Sequence, residues 1–294
     1  MITEQRNPNS ENIDQLTTLQ IVTRINDADM IVTDAVREAL PNIAHAVDGI
    51  VERMREGGRL IYVGAGTSGR LGVLDAVECV PTYNTYPGQV IGIIAGGNSA
   101  LTRSVEGAED DPHQAIQDLR EVALAQKDIV VGIAASGRTP YVVAAVSFAR
   151  EIGALTVGVA CNEPAPLLEQ VERPIPVIVG PEIIAGSTRM KAGTAQKLVL
   201  NMLSTATMIR LGKVYSNLMV DVQVTNEKLK TRAIRLVALL ADVSETEAAD
   251  LLEKANQDVK VAVVMSRQNV SAGEAQMLLS TADGKLREVI GDVL

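Results

Sequence analysis

The sequence predicts an α/β protein. Its centre is a five-stranded, doubly wound parallel sheet flanked by helices, with more helices ahead of it and a small helical bundle behind. Three observations carry this. Between residues 60 and 179, short runs that are apolar throughout alternate with helical patterns, as parallel strands buried on both faces require. Ahead of residue 58 the apolar residues recur only at helical spacing. Beyond residue 241 the chain changes to short amphipathic stretches opened by Ser-x-x-Glu boxes.

Taken in order, Leu16, Leu19, Ile21, Val22 and Ile25 mark a first helix, and a second pattern runs from Ile31 to Leu40. A third begins at Pro41, a favoured first helical position, and Gly57-Gly58 closes the region. Strands are expected at Leu60–Val63, Val90–Ala95, Ile129–Ala134, Leu155–Ala160 and Ile175–Val179. Helices are expected over Arg70–Cys79, 111–125 and Tyr141–Ile152, and this alternation implies right-handed crossovers. Long helices follow at about 189–211 and 220–240. Ser244-x-x-Glu247 and Ser271-x-x-Glu274 each open a short helix, with another over Gln257–Ser266 between them. The expected division is residues 1–57 as N-terminal helices, 58–241 as the sheet domain with its following helices, and 242–294 as a three-helix bundle.

Composition narrows the function. The 294-residue chain carries a formal charge of −9, no Trp and one Phe, Phe148. Such a chain repels nucleic acid and anionic membrane and lacks aromatics for base stacking, so neither is an expected partner. An anionic ligand would need a local site, such as the amides of a helix N-terminus. Cys79 and Cys161 lie far apart and form no metal-type or redox pair. The opening "MITEQRNPNSEN" lacks an apolar core of the signal-peptide kind, and no apolar run has membrane-spanning length. A soluble, cytoplasmic protein is expected.

Residues 60–78 read "LIYVGAGTSGRLGVLDAVE". Gly64, Gly66 and Gly69 match the dinucleotide-binding turn, but that use needs a carboxylate at the tip of the second strand. Here "VIGIIAGG" runs into Gly96-Gly97-Asn98 instead. A phosphate held by Gly66, Thr67 and Ser68 at a helix N-terminus, or a tight turn with no ligand, remains. The third strand is followed by Ser136-Gly137-Arg138-Thr139-Pro140, with Thr139 a candidate N-cap and Pro140 a candidate first helical residue. Two hydroxyl-bearing turns above one sheet suit a phosphate monoester. A third turn, Gly186-Ser187-Thr188, precedes Arg189, Lys191 and Lys197. Cations at a helix start oppose its dipole, which suggests an anion for them to meet.

The loops "GAGTSGR" and "ASGRT" resemble those of the sugar isomerase (SIS) domain, a flavodoxin-like fold that binds phosphosugars. "GPEIIAGSTRMKAGTAQKLVLNM" resembles the signature shared by the N-acetylmuramic acid 6-phosphate etherases and the glucokinase regulatory protein. "GTSGRLGVLDAVECVPTY" and "NLMVDVQVTNEKL" extend the resemblance to the etherases along the chain. Where sugar isomerases often carry Ser-Gln ahead of the third-strand Ser-Gly, this chain has Ala134-Ala135, leaving Ser136 and Thr139 as the phosphate contacts.

The resemblance implies cleavage of a lactyl ether at C3 of an N-acetylated hexose 6-phosphate. The open-chain aldehyde acidifies the C2 proton, a base removes it, lactate leaves from C3, and water adds back. This needs a base and an acid but no metal or redox cofactor. By resemblance Glu78 protonates the leaving oxygen and Glu109 handles the C2 proton, although the motif does not by itself settle which is which. Glu106, Asp110 and Asp111 crowd Glu109, and residue type alone does not choose among them. Phosphate contacts are expected from Gly66, Thr67, Ser68, Ser136, Gly137, Arg138, Thr139, Ser187, Thr188 and Lys191, and Glu182, flanking the third loop, is a candidate contact for sugar hydroxyls. His45 and His113 lie outside the motif loops and read as structural or exposed. The family also implies a homodimer. Competing readings are a phosphosugar isomerase and a non-catalytic phosphosugar-binding regulator.

Overall fold

The apolar runs assemble into one parallel sheet in the order β2-β1-β3-β4-β5. Its strands are β1 (Leu60–Gly64), β2 (Val90–Ile94), β3 (Ile129–Ile133), β4 (Leu155–Ala160) and β5 (Arg173–Pro176). Every residue of β1, β3 and β4 is buried, as strands covered on both faces demand. This order is the flavodoxin-like one, and it reverses between β1 and β3. Those two strands pair from Leu60 with Ile129 to Gly64 with Ile133, so the loops after both leave the sheet at the same level.

The computed structural model describes residues 1–224 and 226–293. The helices ahead of the sheet are α1 (Thr18–Asp29), α2 (Ile31–Glu38) and α3 (Leu40–Arg55). A reciprocal capping box between Thr17 and Gln20 starts α1. Between and after the strands come α4 (Gly66–Tyr83), α5 (Pro112–Glu121), α6 (Pro140–Ile152), the short α7 (Pro166–Gln170) and α8 (Lys191–Arg210). One sheet face packs Ile61, Val63 and Val130 against Ala115 and Leu119 of α5 and Tyr141, Val142 and Ala145 of α6. On the other face Tyr62 lies against Gly72 of α4, and Leu155 against Gly49 of α3.

The remaining elements are a two-stranded antiparallel hairpin, β6 (Val214–Tyr215) with β7 (Leu218–Met219), then α9 (Glu227–Ala241), α10 (Glu245–Lys254), α11 (Val259–Gln268), α12 (Ala272–Thr281) and α13 (Leu286–Ile290). The chain forms two compact units, Met1–Val77 with Gly88–Ser204, and Glu78–Pro87 with Thr205–Leu294. In the second, Leu236, Val237 and Leu240 of α9 share a core with Leu252, Val261, Val264 and Leu279. The Tyr215 hydroxyl donates to the Gly291 carbonyl and accepts from the Val293 N–H, both at 2.8 Å.

Three expectations are corrected. The fifth strand lies at Arg173–Pro176, starting two residues before the Ile175–Val179 run and sharing only Ile175 and Pro176 with it, and carries Pro174 and Pro176. As an edge strand it bears donor-less residues that an inner strand would not. The helix expected from Val220 begins at Glu227, where the Asn226 side chain accepts from the Leu229 N–H. At α10 the Ser244 hydroxyl caps Glu247 N without the reciprocal bond, whereas Ser271 and Glu274 form the full box expected of both.

Candidate active site

Open α/β sheets take ligands above the carboxyl ends of the strands, where strand order reverses. Here that point lies over β1 and β3, so the Gly64–Gly69 turn and the 134–139 turn flank it. In the first turn each glycine has a separate reason. A Cβ on Gly64 would lie 2.6 Å from Gly69 N, and one on Gly69 would lie 2.7 Å from Gly64 O. These two let α4 start directly on the strand. Gly66 has φ +52, a conformation side chains rarely adopt, and a Cβ there would meet nothing within 4 Å. The middle glycine faces open space.

That space is a cavity of about 330 Å³ lined by Gly66, Arg70, Ser104, Glu106 and Glu109 among others. Arg70 braces it. Its guanidinium donates to the carbonyls of Leu101 and Arg103, each at 3.2 Å, and so ties the first turns of α4 to the chain leading to Glu109. Glu109 stands exposed in a 3-10 turn after Gly107, whose φ is +75. The structure therefore brings Gly66 and Glu109, two sequence-predicted site residues, onto one cavity. Glu106 shares it, and Asp111 instead caps α5 through the His113 and Gln114 N–H groups.

At the second turn, Gly137 takes φ +65 and Ser136 Oγ accepts from the Arg138 N–H at 3.1 Å. Thr139 occupies the N-cap position of α6 and Pro140 its first turn, but the Thr139 side chain makes no capping hydrogen bond. Its hydroxyl remains available, as a ligand contact requires. Asn162, buried after β4, donates to the Ala135 carbonyl and to Thr3 Oγ1, bracing this turn from below.

The third turn is arranged differently from a phosphate clamp. Glu182 is fully buried, and its carboxylate accepts from the N–H groups of Lys191 and Ala192 at 3.0 and 2.9 Å. Lys191 is 4% exposed and its ammonium donates to the Val179 carbonyl at 2.7 Å. Burial pushes the Lys191 ammonium below its ordinary pKa, and Glu182 and Asp29 oppose that shift. Glu182 is thus an internal anion at this helix start, set against the Lys191 ammonium. Ser187 and Thr188 are half-buried, and Arg189 and Lys197 are exposed.

Ser68 is 8% exposed, and its hydroxyl donates to Gln196 Oε1 of α8 at 2.9 Å. Thr67 is half-buried. Lower on α4, Asp75 accepts from Tyr62, Asn201 and Ser204 at 2.8, 2.7 and 3.1 Å, fastening α4 to β1 and α8. Burial raises its carboxyl above the usual range, and those three bonds and Lys197 oppose the rise. Glu78 is exposed on α4, belongs to the second compact unit and is not among the residues lining the cavity. His45 and His113 are exposed on α3 and α5.

Sequence reasoning missed Arg70, Asp75 and Gln196. Arg70 stood inside the quoted "GAGTSGR" loop and was available as a signal; Asp75 and Gln196 carry none, because only the packing of α4 on α8 gives them partners.

Comparison with known proteins places this geometry. The model of the glucokinase regulatory protein N-terminal SIS domain matches residues 42–150, and that of the C-terminal lid domain of the same protein matches residues 216–272. A phosphoheptose isomerase from Francisella tularensis shares the fold, with a TM-score of 0.50 and 15% identity over 66% of this chain and 100% of that one. So does an Escherichia coli CFT073 protein, at 0.50 and 14% over 69% and 97%. Two proteins named N-acetylmuramic acid 6-phosphate etherase are far more similar. That of Caldanaerobacter subterraneus subsp. tengcongensis is 54% identical over 99% of this chain and 95% of its own length. That of Streptomyces coelicolor is 53% identical over 100% and 94%. Identity of that order across both units, on a sheet whose switch point carries the expected turns, means that the chain belongs to the N-acetylmuramic acid 6-phosphate etherase family.

Proposed function

We propose that this protein is a carbon–oxygen lyase. It cleaves the D-lactyl ether of N-acetylmuramic acid 6-phosphate to give N-acetylglucosamine 6-phosphate and D-lactate, a step in amino sugar recycling. The observation that carries the reading is the cavity beside the β1 turn, which Gly66 and Glu109 both line. The sugar's ester phosphate lies against the 66–68 and 136–139 turns, with Ser187 and Thr188 as further contacts, whereas the buried Lys191 ammonium is held by the Val179 carbonyl. C2 of the opened sugar then points toward the Glu109 carboxylate.

The steps balance without any outside reagent but water. Glu109 takes the C2 proton, whose acidity comes from the C1 aldehyde. The electron pair forms the C2–C3 double bond, the C3–O bond breaks, and Glu78 gives its proton to the departing lactate oxygen. Water then adds at C3 and a proton returns to C2. Positioned carboxyl groups of this kind contribute roughly 10²–10⁴-fold each.

The enzyme works as a cytoplasmic homodimer in this reading, its two buried cysteines kept as thiols. Among the described residues no helix is long and apolar enough to cross a membrane. Support for pairing comes from α1, which buries none of its 12 residues and leaves Leu19 and Val22 at 74% and 51% exposure. A helix of that length is marginal alone in water, so a second copy covering it is the economical arrangement. Light scattering should give about twice the 31.2 kDa chain mass; the mass of one chain would contradict it.

The function is tested by incubating the protein with N-acetylmuramic acid 6-phosphate and assaying D-lactate. Release of equal amounts of lactate and N-acetylglucosamine 6-phosphate is expected. Conversion of hexose 6-phosphates to ketoses without lactate would favour the isomerase reading, and binding with no turnover would favour the regulator.

A further inference from the structure

Ser68 lies in the glycine turn, yet its single hydroxyl hydrogen is directed at the protein, onto Gln196 Oε1 at 2.9 Å. A phosphate monoester offers only acceptors at neutral pH. A serine whose hydrogen is already committed to an amide oxygen has nothing to give it. The amide that holds Ser68 is itself incompletely paired. Gln196 is 1% exposed, and its Nε2 has no hydrogen-bond partner. A buried donor left bare is destabilising, so such a group calls for an explanation.

Gln196 also sits where it can act on the turn. One helical turn before it on α8, Gly193 would place a Cβ 3.4 Å from the Thr67 methyl. The face of α8 that carries Gly193 and Gln196 therefore backs Thr67 and Ser68 directly, and Ser68 rests on a side chain with two opposite hydrogen-bonding ends.

We propose that Gln196 is a positioning residue that releases the Ser68 hydroxyl to the ligand by turning its amide over. In the orientation seen, Oε1 accepts from Ser68 and the hydroxyl hydrogen is held away from the ligand. After half a turn about the terminal side-chain torsion, Nε2 donates to Ser68 Oγ. The serine then keeps its place in the fold while its own O–H donates to a phosphate oxygen. Each orientation leaves one end of the amide bare, so neither has a strong advantage by itself and the bound phosphate decides. The torsion concerned is a broad, roughly two-fold one, so the change needs no movement of α8 or of the turn. This inference rests on the reading of the 66–68 turn as a phosphate holder.

The test is a double-mutant cycle read by affinity for N-acetylglucosamine 6-phosphate, measured calorimetrically, with KM and kcat for N-acetylmuramic acid 6-phosphate alongside. Ser68→Ala should weaken binding by about tenfold to a hundredfold, the size of one hydrogen bond to a charged group. Gln196→Met, similar in shape but unable to donate, should weaken it by about tenfold, with kcat changed less than about threefold. The double variant should be no worse than Ser68→Ala, because Gln196 acts only through that hydroxyl. Gln196→Glu guards against a folding defect in the Met variant. Its carboxylate still accepts from Ser68 but cannot support it as donor, so it too should raise KM and lose its effect in the Ser68→Ala background. Additive losses in the double variant, or wild-type affinity in both Gln196 variants, would overturn the inference. If the wild-type protein bound no sugar phosphate at all, the phosphate-holder reading would fall as well. If it bound one but released no lactate, only the etherase reading would fall.

Discussion

Glu109 and Gly137 give the sharpest consequences at the level of single residues. Glu109 is an exposed carboxylate on the cavity wall, so Glu109→Gln changes little but its ability to move a proton. Its kcat should fall by about 10²–10⁴-fold, while affinity for N-acetylglucosamine 6-phosphate stays within a few-fold. Calorimetry beside steady-state kinetics checks this, and parallel loss of both would contradict the assigned role. At Gly137, φ is +65 and an added Cβ would stand 2.5 Å from the Ala165 Cβ. Gly137→Ala should therefore destabilise the fold by about 1–3 kcal/mol in urea unfolding and slow turnover. Both residues were legible in the sequence, the glycine through its turn and the glutamate only through resemblance, since Glu106, Asp110 and Asp111 stand beside it. Gln196 and Asp75 were not, because a polar residue inside a helix reads the same whether it meets water or Ser68.

Among the elements, α8 depends on a buried cap. Glu182 receives the first amides of the helix while the Lys191 ammonium is buried nearby. Removing the carboxylate bares those buried amides and takes away one of the two charges, with Asp29, that offset the ammonium, so Glu182→Ala should cost about 3–5 kcal/mol, measured by urea unfolding. A loss below about 1 kcal/mol would mean that the cap is dispensable. The inner strands were readable because burial on both faces forces them to be apolar throughout, and β1, β3 and β4 fall within a residue of the expected runs. The edge strand β5 was misplaced for the converse reason: half exposed, it tolerates Arg173 and two prolines, and the more apolar run downstream looked more strand-like. The five residues of α7 and the two-residue strands of the hairpin were too short to show a period.

For the molecule as a whole, two buried aspartates make its stability depend on pH in opposite senses. Burial alone would raise the Asp128 carboxyl, but hydrogen bonds from Arg59 and from the Ala125 and Arg59 amides outweigh it and hold the group below 3.8. The stability from that pair is present above about pH 4 and is lost as pH falls through the lowered value. Asp75 is raised instead, so its contribution is greatest below 3.8 and is lost as pH rises through the raised value. Urea titrations across the acid range should show Asp128→Asn most harmful at neutral pH and progressively less so on acidification. Asp75→Asn should show the reverse trend, hurting least at neutral pH. Identical pH profiles for the two variants would contradict the assignment.

In the proposed reaction a proton leaves C2 to Glu109 while lactate departs from C3. The direct measurement is turnover of N-acetylmuramic acid 6-phosphate in heavy water, followed by proton NMR of the sugar product. Deuterium at C2 of the N-acetylglucosamine 6-phosphate formed by the wild-type protein, with Glu109→Gln forming almost none of that product, is the result expected. Lactate released with the original C2 proton fully retained would contradict it.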